Sequence, residues 1–262
     1  MPSAFEFDRA LARFPGRSVV NGLRAVDRGA PTLEGVQREL TAYAAALEAA
    51  GVSVETLPAM EDFPDSVFVE DAALVFRDGA IVLRPGAPSR RGESIAMATV
   101  LRRCFDRVLE LPEGCVDGGD VLTTGREIMI GLSARTDQAG AQALQSCLEQ
   151  LGRKSAVVTT PPDVLHFKTD CSLLDDETVL CTPRLAASGA FAKYRVILTP
   201  DGEEAAANAL RVNDCVFARA DFARTIDRLS TAGYRVVPLE GAQIGLLDAG
   251  FSCLSLRWHT PA

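Results

Sequence analysis

Asp71, Asp117, His166, Asn208 and Cys253 are spaced along the chain by 46, 49, 42 and 45 positions, and between them they hold a thiol, an imidazole and two carboxylates. That set can perform nucleophilic hydrolysis if the fold gathers it. Cys253 lies in the apolar run Phe251-Ser-Cys-Leu-Ser-Leu256. There it is either a small buried hydrophobe or a nucleophile, and a thiol with an ordinary pKa of about 8.5 needs a positive neighbour or a bound cation to ionise at neutral pH. His166 is one of two histidines. Oriented by a carboxylate, from Asp117 or Asp120, it can serve as general acid and then general base; unpartnered by one, it is a core histidine. His259 reads as a surface residue near the end of the sequence.

Further carboxylates stand in apolar company. Asp65, Glu70 and Asp71 surround Val67, Phe68 and Ala72, and strand alternation turns at least one acid inward, where a planar guanidinium would pair with it. Arg90 and Arg135 each follow a hairpin and precede a helix; they are either helix-start surface residues or a clamp on a substrate carboxylate. Gly118-Gly119 is a tight turn that also lets backbone approach a pocket.

The elements that must position these groups repeat. Val67–Phe76 reads as a strand, Arg77-Asp-Gly as a hairpin turn, Ala80–Arg84 as its partner, Ser94–Phe105 as a helix and Val108–Leu111 as a closing strand. Val116–Thr124, Ile128–Leu132, the helix Gln138–Leu151 and the strand Ala156–Thr159 repeat that order. A third unit shows Val164–Leu174 and Thr178–Cys181. A fourth runs from Glu203 through Val216–Ala218 and the helix Phe222–Ala232 into Tyr234–Val237. The fifth is divided between Gly250–Trp258 and an N-terminal part with helix Leu33–Gly51 and strand Val52–Leu57. This period fits a radial array, and joining the two ends of the chain in one blade removes open sheet edges. With no long linker rich in proline and glycine, residues 1–262 read as a single domain.

Composition narrows the function classes. The chain has 262 residues, 47% hydrophobic and 24% charged, a globular balance. Its net charge of -8 argues against nucleic acid and, weakly, for a small cationic ligand. No apolar stretch reaches the roughly 20 residues of a membrane span, and Met1-Pro-Ser-Ala-Phe-Glu-Phe-Asp8 has acid where a secretory leader has base, so a cytoplasmic location is expected. Seven cysteines without a C-x-x-C pair, and two histidines, argue against a disulfide framework or a metal centre.

Several ordered segments resemble the dimethylarginine dimethylaminohydrolase family of the guanidine-modifying (pentein) superfamily. They are Phe63-Pro-Asp-Ser-Val-Phe-Val-Glu-Asp71, Arg84-Pro-Gly-Ala-Pro-Ser-Arg-Arg91, Val116-Asp-Gly-Gly-Asp-Val-Leu122, Gly131-Leu-Ser-Ala-Arg-Thr136, Leu165-His-Phe-Lys168 and Asp248-Ala-Gly-Phe-Ser-Cys-Leu-Ser255. The resemblance implies a five-bladed α/β propeller of ββαβ units with pseudo-fivefold symmetry. It implies Cys253 as nucleophile, His166 as general acid and base, and Asp117 as the carboxylate orienting it. Asp71 and Glu70 are then at the guanidinium, Arg90 and Arg135 at the α-carboxylate, and Asp65, Phe68 and Asp248 line the pocket. The implied reaction converts Nω-methylated arginine to citrulline and an alkylamine through a thiouronium intermediate, with no metal or organic cofactor, in a monomer or a homodimer. Alternatives are an arginine deiminase-like or other substituted-guanidine hydrolase of this fold, and a non-catalytic binding propeller.

The sequence departs from the family in two places. Ala242-Gln-Ile-Gly-Leu-Leu-Asp248 replaces a Ser-Glu-x-x-Lys-x-Asp pattern, which bears on substrate contacts near Gln243 and Leu246. Leu254 stands where some members carry a second cysteine. The segment Asn21-Gly-Leu-Arg24 is a lid or a plain surface loop.

Overall fold

In a computed structural model describing residues 3–162 and 164–261, apolar runs of three to five residues pair into five three-stranded sheets. Met1, Pro2, Asp163 and Ala262 lie outside the described residues. Every sheet obeys one rule: its first strand runs antiparallel to the middle strand, and the third runs parallel to it. The first unit supplies strands Ala73–Phe76, Gly79–Val82 and Val108–Glu110 with helix Arg91–Cys104; the second supplies Val121–Thr123, Ile128–Leu132 and Ser155–Thr159 with helix Gln138–Gln150. The third has Cys171–Leu173, Thr178–Cys181 and Arg195–Leu198 with the short helix Pro183–Ala186, and the fourth has Leu210–Val212, Cys215–Arg219 and Arg235–Leu239 with helix Ala223–Thr231.

The fifth sheet joins the two ends of the chain as expected, with Leu256–Trp258 on one side of Arg9–Arg13 and Ser53–Leu57 on the other. Its middle strand, Arg9–Arg13, escapes sequence reading because its partners lie more than forty residues away and no hairpin announces it. The helix Leu33–Ala49 crosses between the two parallel strands, capped by Thr32, whose hydroxyl accepts the Gly35 amide at 3.1 Å. Tyr43 of this helix stacks on Phe251 with ring centroids 5.9 Å apart and shares a 2.6 Å hydrogen bond with Ser255 Oγ. The helix thereby braces the segment that carries Cys253.

The inner ends of the units differ from expectation. Val67–Phe76 is not one strand: Val69–Ala72 forms a 3-10 turn and only Ala73–Phe76 joins the sheet. The same replacement occurs at Gly118–Asp120, Phe167–Thr169, Glu204–Ala207 and Phe251–Leu254, each just before its first strand. The cause is local polarity, because side chains here accept backbone amides that a ladder would otherwise use. Asp71 Oδ1 accepts Gly119 N at 2.8 Å, Asp120 Oδ1 accepts Phe167 N at 2.8 Å, and Asn208 Oδ1 accepts Ser252 N at 3.2 Å. Ser252 Oγ links the last turn to the first by donating to Glu70 Oε2 at 2.8 Å. Side chains thus fasten four of the five junctions between turns, and the five sheets around an axis form a five-bladed α/β propeller.

Close approach at this axis requires glycine. A Cβ on Gly118 would sit 1.9 Å from the carbonyl oxygen of Glu70. Gly118→Ala must push the first two units apart, so we expect a loss of about 3 kcal/mol and a melting temperature lower by about 10 °C, measured by calorimetry.

Candidate active site

The five turns form a partition across the axis. On one side opens a cavity of about 1130 Å³, lined among others by Glu70, Lys168, Ser252 and Arg257. Asp71, Asp117, His166 and Cys253 lie outside that lining. Neighbours along a turn, such as Glu70 and Asp71, therefore differ in whether they line that cavity.

His166 precedes the Phe167–Thr169 turn, and its Nε2 meets Asp117 Oδ2 at 2.9 Å. Of the two carboxylates compatible with the sequence, Asp117 is the one on the imidazole. Asp120 instead accepts Phe167 N and the hydroxyls of Ser133 and Thr136, both at 2.7 Å, and so fixes the backbone beside His166. Asp117 is itself held by Gly86 N, 2.7 Å from Oδ1. Gly119 allows the ring to approach Asp71, since a Cβ there would lie 2.9 Å from His166 Nδ1 and 3.0 Å from Asp71 Oδ1.

Buried charge sets the protonation states. Burial disfavours the imidazolium, yet its hydrogen bond to Asp117 and the charges of Asp71, Asp120 and Asp117 outweigh it, and the His166 pKa is pushed up to about 9. Cys253 moves the same way for a different reason. Burial, then the negative charges of Glu70 and Asp71, push its thiol up to about 12, against the opposing Gly250 hydrogen bond and Lys168. Asp71 is drawn the other way: burial opposes its charge, but Arg90, His166 and the Gly119 amide hold its carboxyl below the usual range. One carboxylate thus acts on both the imidazole and the thiol.

Two residues expected at the substrate already have partners within the chain. The Arg90 guanidinium is buried and already engaged: it pairs with Asp71, donates to both oxygens of Glu93, and reaches the carbonyls of Asp65 and Phe68. It thereby supports Asp71. Arg135 differs from Arg90: its side chain is 23% exposed and its guanidinium lies 3.9 Å from Asp117. Glu70 is likewise engaged, its carboxylate meeting Lys168, Ser252 Oγ and Arg257.

Phe68 is buried in the apolar cluster against which Cys253 packs. Asp65 and Asp248 both stitch down the segment 22–28: Asp65 accepts Leu23 N at 2.8 Å, while Asp248 accepts Ala25 N and meets Arg28 at 2.9 Å. Gln243, at the departure from the family pattern, accepts Thr32 N at 2.8 Å, so its side chain serves the start of a helix. Asn208 is the residue whose contact sequence reasoning did not foresee; its Nδ2 lies 3.9 Å from Cys253 Sγ. Its polarity inside an apolar stretch was the available signal. Among the described residues, ligand atoms of Asp71, Asp117 and His166 lie within 4.8 Å of one another, a spacing that suits a cation. Arg90, Gly119 and the Asp117–His166 bond already engage those groups.

Comparison with known proteins follows the same lines. The family model for arginine deiminase matches residues 32–220. An N(G),N(G)-dimethylarginine dimethylaminohydrolase of Pseudomonas aeruginosa is 36% identical over 254 residues, covering 96% of this chain and 100% of the relative. One from Streptomyces coelicolor is 34% identical, covering 95% and 96%. A solved cysteine-to-serine mutant of the Pseudomonas enzyme, complexed with citrulline, superposes with a TM-score of 0.93 over 97% of this chain and 100% of that one. The N-terminal domain of a cyanobacterial arginine dihydrolase, at 19% identity and a TM-score of 0.85, shares the fold.

The Asp117 contact makes a direct prediction. Asp117→Asn removes the charge and weakens the hydrogen bond that hold the imidazolium, so the His166 pKa should fall by at least one unit from about 9. Titration of its ring protons by NMR measures the shift.

Proposed function

The chain belongs to the dimethylarginine dimethylaminohydrolase family, and from that membership we propose that it hydrolyses Nω-methylated arginine to citrulline and an alkylamine. The observation that carries this reading is the placement of Asp71, which acts on both the His166 imidazole and the Cys253 thiol within a site whose relatives include a citrulline complex. A guanidinium bound at Asp71 neutralises part of the field that keeps Cys253 protonated. Its arrival promotes loss of the thiol proton to solvent.

The thiolate attacks the central guanidinium carbon, forming a C–S bond as one C–N π pair moves onto nitrogen. His166, an imidazolium below pH 9, gives its proton to the departing amine, and the C–N bond breaks. A thiouronium remains on Cys253. Neutral His166 then takes a proton from water, whose oxygen adds to the same carbon. The C–S bond breaks as the added hydroxyl loses its proton to solvent, returning the thiolate and releasing citrulline. Asp117 keeps the ring in place, Arg90 holds Asp71, and Arg135 is the guanidinium available to the substrate α-carboxylate. All of these steps use side chains alone.

Dimethylarginine, monomethylarginine and arginine, each offered to the purified protein with citrulline as the readout, test the substrate class. Citrulline from the methylated forms is expected, and its release from arginine alone would establish the deiminase-like alternative. Cys253→Ser should lower kcat by at least about 10³-fold.

The pH profile follows from the two shifted groups. The reactive pair is thiolate with imidazolium; because the thiol titrates near 12 and the imidazole near 9, that pair grows about tenfold per pH unit up to 9 and then levels. kcat/KM should follow this course, whereas the kcat profile should turn at lower pH because bound cation eases thiol ionisation. A kcat/KM plateau beginning near pH 6.5 would contradict the assignment.

A further inference from the structure

The latches between turns are not chemically alike. Asp71 and Asp120 fasten the following turn with carboxylate oxygens, but the fourth unit uses the amide Asn208. As a backbone acceptor, an aspartate would serve equally well. Only an amide offers a donor on the second branch, and here that donor, Nδ2, lies 3.9 Å from Cys253 Sγ while Oδ1 accepts the amide of Ser252 one residue earlier. Both branches of one side chain therefore engage adjacent residues of the nucleophile turn.

The side chain is fixed in this orientation by its surroundings. A Cβ on Gly250 would fall 2.3 Å from Asn208 Cγ, so the glycine lets the amide lie flat against the turn. The charged groups acting on the sulfur are Glu70 and Asp71, which oppose a thiolate, and Lys168, which favours it. Lys168 is committed to Glu70 on the cavity side of the partition. A neutral donor directed at sulfur adds support without the desolvation cost of another buried charge.

We propose that Asn208 stabilises the Cys253 thiolate by donating a hydrogen bond from Nδ2 to Sγ, a role that rests on Cys253 being the nucleophile. An aspartate at 208 would keep the latch while removing the donor and placing a third negative charge near the sulfur. Asparagine at this point of the ring is thus a choice of the chemistry.

Alkylation of Cys253 by the neutral reagent iodoacetamide at pH 8, followed by mass analysis of the peptide carrying residue 253, reads thiolate content without any substrate. Asn208→Asp should slow it about tenfold, one pKa unit, and Asn208→Ala, which adds no charge, about threefold. Melting temperature reports the latch separately and should fall in Asn208→Ala through loss of the Ser252 contact, and in Asn208→Asp through the cost of a further charge near Glu70 and Asp71. In turnover, Asn208→Ala should lower kcat with KM little altered. Unchanged alkylation rates in both variants, with a lower melting temperature in Asn208→Ala, would reduce Asn208 to a structural latch and overturn the proposal. Failure of the unaltered protein to make citrulline would instead refute the hydrolase reading, and the alkylation comparison would remain decisive for the Asn208 contact.

Discussion

Around the axis, a side chain from one turn accepts the backbone amide of the next: Asp71 with Gly119, Asp120 with Phe167, Asn208 with Ser252. Much else follows from this pairing. Buried amides and buried carboxylates are each costly alone and acceptable together. By satisfying both, the latches allow five polar turns to meet in the middle of an apolar protein. They also decide which residues flank each turn, and hence which groups face the reacting centre.

The cost of bringing so many acids together appears as an electrostatic imbalance. Asp71, Asp117 and Asp120 favour a charged imidazole, and Glu70 with Asp71 disfavour a charged thiol. Such a site rests in an unreactive state and awaits positive charge. Specificity for a cation and activation by that cation become the same event, because the group that selects the ligand is the one that restrained the nucleophile. Arg90 and Lys168 limit the excess, one behind Asp71 and one beside Glu70.

Much of this could be read along the chain. The order of strands and helices, the hairpin at Arg77-Asp-Gly, and the shared fifth blade follow from local patterns with a long repeat. The motifs around Asp117, His166 and Cys253 likewise mark the site, since polar residues set in apolar runs are costly to bury unless they meet partners of their own kind. What escaped reading depends on partners chosen in three dimensions. Nothing near Arg90 in sequence reveals that Asp71 and the carbonyls of Asp65 and Phe68 claim it, and nothing near Glu70 points to Lys168. The stretch Val67–Ala72 has the composition of a strand, yet it turns, because its acids bond across the axis instead of leaving the backbone to a ladder.

Because Leu256–Trp258 pairs with Arg9–Arg13, two segments remote from each other in the sequence lie side by side in one sheet. A contact of such wide separation forms slowly, since the entropy of closing the intervening loop must be met before the contact rewards it. The blade next to the nucleophile turn is thus the slowest to assemble on refolding, and the sulfur of residue 253 gains its surroundings after the local hairpins are in place.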